Sequence, residues 1–129
     1  MKSLKIYVAG PYTPRASDLH DAPRIAHRNT MRAIRAGIRI IEKGHIPFIP
    51  HLTHFIHLET RKPLPATFYY EYDMTWLKHC DALLYLGDSK GADRELGWAR
   101  KHGLKIFHSL DEIPARRDFA RRVQPARGG

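Results

Sequence analysis

Glu95 lies four residues after Gly91 in a polar run, Gly87-Asp88-Ser89-Lys90-Gly91-Ala92-Asp93-Arg94-Glu95, that directly follows the apolar stretch Ala82–Leu86. A strand, a short polar turn and a helix with a carboxylate near its start make a reactive arrangement. The turn offers backbone N–H groups to an anion, and the helix dipole favours an ionised Glu there. A partly shielded carboxylate of this kind can attack an electrophilic carbon. A second carboxylate, Asp73, and a phenol, Tyr7, stand in two other segments. Tyr7 belongs to the apolar run Ile6-Tyr7-Val8-Ala9, which ends at Gly10-Pro11.

The elements that must bring these groups together follow from pattern and punctuation. Lys5–Ala9 reads as a buried strand closed by the Gly10-Pro11 turn, with a polar loop over residues 10–20. Asp21-Ala22-Pro23 has the form of an N-cap followed by proline in the first turn. Ile25, Ile34, Ile38 and Ile41 then recur at helical spacing as far as Gly44, a C′ residue. Arg24, Arg28, Arg32, Arg35 and Arg39 share another face of the same helix. His45–Ile49 is expected as a strand, at an edge because Pro47 cannot donate to a ladder. A loop rich in histidine and proline runs to Pro65. A helix over Thr67–Cys80 should turn Phe68, Tyr72 and Trp76 or Leu77 inward. A third strand follows from Asp81, where Asp81 itself is expected to make a structural hydrogen bond. A helix over Ser89–His102, a strand over Leu104–His108 and a short basic closing helix complete the chain.

Strands alternating with helices across short connections imply an α/β fold, a flavodoxin-like three-layer sandwich with a parallel sheet of four to five strands. Ligands in such sheets bind beyond the carboxyl ends of the strands. The loops after Ala9, Ile49 and Leu86 should therefore meet.

Composition narrows the function classes. The 129 residues suit one domain, and 43 % hydrophobic content is ordinary for a globular chain. No apolar run approaches a membrane span, and the start has no signal-peptide pattern. The single cysteine, Cys80, fits a reducing cytoplasm and is expected to pack. The formal net charge is +9, but five arginines against one aspartate lie in residues 115–129, and others form the helical stripe. That distribution does not favour nucleic acid as the partner. His51-x-x-His54-x-x-His57 lacks a carboxylate or cysteine spaced to complete a zinc site, so no metal is expected.

The ordered set Ile6-Tyr7-Val8-Ala9-Gly10, Tyr70-Glu71-Tyr72-Asp73-Met74-Thr75-Trp76-Leu77, Cys80-Asp81-Ala82-Leu83-Leu84 and Ser89-x-Gly91-x-x-x-Glu95-Leu96-Gly97-x-Ala99 resembles the nucleoside 2-deoxyribosyltransferase superfamily, including its small nucleotide-hydrolysing relatives. The resemblance implies a domain over residues 1–112, with a basic tail or helix over 113–129. It makes Glu95 the nucleophile on C1′ of a sugar, Asp73 the group beside the nucleoside and Tyr7 the holder of Glu95. It places phosphate near Ser89 and Gly91, with Gly10, Pro11 and Arg15 in the first loop. Arg24 or Arg28, at the start of the first helix, is a further candidate charge partner. The implied reaction is hydrolysis of the N-glycosidic bond of a nucleoside 5′-monophosphate, without cofactor, in a cytoplasmic homodimer or higher homo-oligomer. Two alternatives stay open: deoxyribosyl transfer between bases, and a non-catalytic nucleotide- or nucleic-acid-binding module. The first loop lacks the relatives' glycine- and arginine-rich pattern.

Overall fold

The computed structural model describes residues 2–13 and 21–116. Arg15 and most of the expected basic tail lie outside them. Four short strands form one parallel sheet: β1 (Lys5–Ala9), β2 (Ile46–Phe48), β3 (Ala82–Tyr85) and β4 (Lys105–Phe107), in the order β2-β1-β3-β4. Four helices cover it: α1 (Ala22–Glu42), α2 (Thr53–Glu59), α3 (Ala66–Leu77) and α4 (Lys90–Lys101). This is the flavodoxin-like sandwich expected from the alternation of elements. Strand order reverses next to β1, so the loops after β1 and β3 open at the carboxyl edge.

Side chains alternate across the pleat of the two central strands. Ile6, Val8, Ala82, Leu84 and Phe107 pack with Ala33, Ala36 and Ile40 of α1, and with Ile113 beyond β4. Tyr7, Ala9 and Leu83 face the other way, against Met74 and Leu77 of α3 and Ala92, Leu96 and Ala99 of α4. Residues 6 to 9 of β1 are all fully buried, as a central parallel strand requires. That alternation sends Tyr7 toward the layer that carries Asp73 and Glu95. Pro47 sits in β2 at the sheet edge, opposite Ile6.

Three expectations need correction. First, α1 buries Ala26, Thr30, Ala33, Ala36, Gly37 and Ile40, whereas Ile38 and Ile41 are 47 % and 40 % exposed. Close approach decided this face: a Cβ on Gly37 would overlap Ile49 Cδ1 and reach 3.0 Å from its Cγ1. Small side chains let the helix lie against the sheet edge, so the isoleucine spacing marked the wrong stripe. Second, the segment read as a loop after Ile49 folds into a 3-10 turn, Pro50–Leu52, and α2. Pro50 occupies the first turn there, where proline is tolerated. Third, Phe68 and Trp76 stay 39 % and 47 % exposed, and Met74 and Leu77 carry the inner face of α3.

Asp21 precedes α1 without a side-chain cap bond and instead pairs with Arg24 at 3.4 Å. Asp81 has the structural role expected of it: the Lys5 N–H donates to Asp81 Oδ2 at 2.9 Å, locking β1 to the start of β3. Gly44 and Gly103 end α1 and α4 with φ of 91° and 76°, which favours glycine.

Candidate active site

The carboxyl edge of the sheet opens into a cleft of about 1290 Å³ walled by α1, α3, the start of α4 and the turns after β1 and β2. Glu95, in the second turn of α4, lines it and is only 9 % exposed. The Tyr7 hydroxyl donates a short hydrogen bond to Glu95 Oε2. Tyr7 is itself fully buried and stands behind Glu95 rather than on the wall. Its ring stacks on Phe48 at 5.6 Å, which fixes the direction of the phenol.

Asp73, from the third turn of α3, lines the same cleft. It lies near enough to Glu95 for the charge of one to perturb the other. Burial, and then the Glu95 charge, push the Asp73 carboxyl up to about 8. Burial also pushes Glu95 up to about 7, against the opposing pull of the Tyr7 hydrogen bond and of Arg94. The Tyr7 phenol is driven well above its ordinary range by burial and by the Glu95 and Asp73 charges, so it stays a donor. Near neutral pH this trio offers an ionisable carboxylate, a neutral carboxylic acid and a fixed phenol. Two buried carboxyls in one cleft, both raised by burial and one of them held by a phenol, suit nucleophile and general acid.

The start of α4 forms another part of the wall. Ser89 caps the helix, its Oγ accepting from the Ala92 N–H at 3.0 Å, and Ser89, Lys90 and Gly91 all line the cleft. Pro11 lines it too. Gly10 sits behind, where a Cβ would come within 3.0 Å of Leu86 Cβ. Of the residues singled out from sequence, Pro11, Asp73, Ser89, Gly91 and Glu95 therefore share one cleft, and Tyr7 and Gly10 support it. Arg15 lies outside the described residues. Neither Arg24 nor Arg28 is on the wall; Arg32 is, and its NH2 donates to the Leu86 carbonyl at 2.9 Å.

His51, which the sequence offered only as part of a histidine run without a metal pattern, lines the cleft. Its Nε2 lies 3.1 Å from both the Gly10 and the Pro11 carbonyl oxygens. Both are acceptors, so Nε2 carries the proton and the ring ties the β1 turn to the β2 turn. Burial holds its pKa below the ordinary imidazole value. Three buried side-chain atoms among the described residues lack a hydrogen-bond partner: His51 Nδ1, the Tyr69 hydroxyl and Asp73 Oδ1. All three residues line this cleft. Buried polar atoms are normally paired, so this wall has hydrogen-bonding capacity that the described side chains leave unused. The available signal for His51 was its place just after the β2 strand, where ligand loops were expected.

Two other histidines pair with each other beside Tyr12. His54 Nδ1 meets the Tyr12 hydroxyl at 2.8 Å, and its Nε2 lies 3.3 Å from His27 Nδ1. No group of three His, Cys, Asp or Glu side chains among the described residues is arranged to hold a metal ion. No helix among them is long and apolar enough to cross a membrane.

The chain belongs to the family described as "Domain of unknown function (DUF7768)", whose model matches residues 4–109. None of the curated proteins compared matches it. Among solved structures it is similar to a 2-deoxyribosyltransferase from the psychrotolerant bacterium Bacillus psychrosaccharolyticus. The two share a TM-score of 0.54 and 21 % identity, over 79 % of this chain and 69 % of that one. At that identity the likeness is one of fold.

Proposed function

We propose that the cleft breaks the N-glycosidic bond of a nucleoside, with Glu95 carrying the sugar between the leaving base and an acceptor. One observation carries the reading: a buried carboxylate, aimed by Tyr7, shares a cleft with a second carboxyl whose pKa burial raises. Glycosidic cleavage uses such a pair. Glu95 Oε attacks C1′ as the C1′–N bond breaks, and Asp73 gives its proton to the departing base. An acceptor then attacks C1′, Asp73 takes the acceptor's proton, and the ester bond opens to return the Glu95 carboxylate. The scheme calls on no metal or organic cofactor.

With a second base as acceptor the reaction is pentosyl transfer, the activity named for the structurally similar 2-deoxyribosyltransferase. With water it is hydrolysis. Hydrolysis of a nucleoside 5′-monophosphate is the second reading, favoured by Arg32, Lys90 and the amino end of α4 on the same wall. Self-association accompanies either reading. It is supported by the exposed apolar side chains of Ile38, Ile41, Ile46 and Leu58.

Incubating the protein with ribo- and deoxyribonucleosides and their 5′-monophosphates, with and without a second base, separates these outcomes by chromatography. Release of base that persists at the parent rate in Glu95→Gln overturns the assignment.

A further inference from the structure

Building on that glycosidic reading, we propose that the nucleoside presented to Glu95 belongs to a single-stranded nucleic acid. Its flanking phosphates would follow the exposed arginine face of α1, and a neighbouring base would stack on Tyr70 at the opposite rim.

The arginine face is continuous with the cleft. Ile25, Asn29 and Arg32 of α1 form part of the wall. Arg24, Arg28, Arg32, Arg35 and Arg39 are all exposed, and Glu42 is the only acid within the helix. Their steps of three or four residues place them about 4.5–6 Å apart along the axis, in a stripe of about 22 Å. The carboxylate pairs they make, Arg24 with Asp21 at 3.4 Å and Arg39 with Glu42 at 4.0 Å, are exposed and therefore weak. A mononucleotide has one phosphate group, which Arg32 or Lys90 can meet at the cleft. Arg35 and Arg39 lie one and two turns further along α1, beyond the single phosphate of a mononucleotide but within reach of a ligand with repeated phosphates.

The other rim supplies an aromatic surface. Tyr70 lines the cleft, is 43 % exposed, and carries the Arg94 guanidinium 4.4 Å from its ring centroid. A cationic track beside an exposed ring is how single strands are held without reading their sequence. A single strand also presents its base without the unpairing that a duplex demands. The bond changes stay those given above, with water as acceptor: the C1′–N bond breaks, the Glu95 ester forms and is hydrolysed, and Asp73 exchanges one proton. The strand keeps an abasic sugar.

The test uses end-labelled single-stranded DNA and RNA oligonucleotides of mixed sequence, with free nucleosides and 5′-monophosphates in parallel. Abasic sugars are revealed by amine-induced strand scission, and binding is followed by anisotropy against salt. Engagement of three phosphates weakens binding roughly 20-fold between 50 and 200 mM salt. Arg35→Glu/Arg39→Glu, with an unchanged melting temperature, should lower oligonucleotide turnover at least about tenfold. It should leave turnover of free nucleosides or nucleotides as in the parent. Glu95→Gln should abolish both. Cleavage of the monomers with oligonucleotides left intact overturns this inference alone, as does oligonucleotide turnover indifferent to the double variant. A dimer lost in the double variant while oligonucleotide turnover is unchanged assigns the stripe to self-association and also overturns it. No base release from any of these substrates removes the glycosidic reading, and this inference with it.

Discussion

The Tyr7 hydroxyl reaches Glu95 Oε2 across 88 positions of sequence, joining the central strand to the second turn of α4. The bond opposes the burial that raises the Glu95 pKa. Tyr7→Phe removes the donor and leaves a buried carboxylate that ionises less readily. The acid limb of the rate profile, set by ionisation of the nucleophile, should then move to higher pH. Activity at pH 7 should fall roughly 10- to 100-fold, with partial recovery as pH rises. A kcat/KM profile checks this, and an unmoved acid limb rejects the role given to Tyr7.

Asp73 should set the other limb. Its carboxyl is pushed up to about 8 and Glu95 up to about 7, so both titrate near neutrality, and the active form is the one with ionised Glu95 and protonated Asp73. The two groups are coupled, so the limbs describe the pair rather than either residue alone. Asp73→Asn should erase the alkaline limb, keep the acid limb and lower turnover by about 10²–10⁴-fold. Substrates whose base leaves without protonation should lose much less.

The same shifts bear on stability. Asp73 and Glu95 bind their protons more tightly in the folded chain than at their ordinary values of 3.8 and 4.5. Stability from these groups is therefore fully present below about pH 4 and is lost as pH rises through about 7 to 8. Glu95→Gln removes a titrating charge while its amide oxygen can still accept from Tyr7. It should raise the folding stability at pH 8 by on the order of 2 kcal/mol, seen as a higher melting temperature, and much less at pH 4. Differential scanning calorimetry at the two pH values decides it; equal gains at both would mean that burial of the charge is not the cause.

Much of this site was legible because strand alternation and helix starts obey local rules. Tyr7 had to point to one face of β1, and Ser89 had to open a helix after β3. Asp81 closed onto Lys5 for the same reason, since strand starts align in a parallel sheet. What stayed hidden depends on distance between elements. Whether α1 buries its isoleucines or its alanines is settled by how near Gly37 comes to Ile49, a contact between residues that no periodicity relates. The loop appearance of Pro50–Glu59 misled because proline in a first turn starts a helix as readily as it breaks one. His51 was visible only as one of several histidines until its two carbonyl partners were placed.

His51 gives the last prediction. Its ring N–H serves both the Gly10 and the Pro11 carbonyls, at the point where the β1 turn meets the cleft. His51→Phe keeps an aromatic ring in the same space but cannot donate. Two carbonyls then lose their partner, and the turn that carries Pro11 and Tyr12 loosens. Each buried unsatisfied acceptor costs about 1–3 kcal/mol, so a lower melting temperature is expected. The turn forms cleft wall rather than the reacting pair, so KM should rise more than kcat falls. His51→Gln, whose side-chain amide can again donate, should recover part of the stability. Thermal melts of the three proteins together with steady-state kinetics test this, and a His51→Phe protein as stable and as active as the parent would show that the turn holds itself.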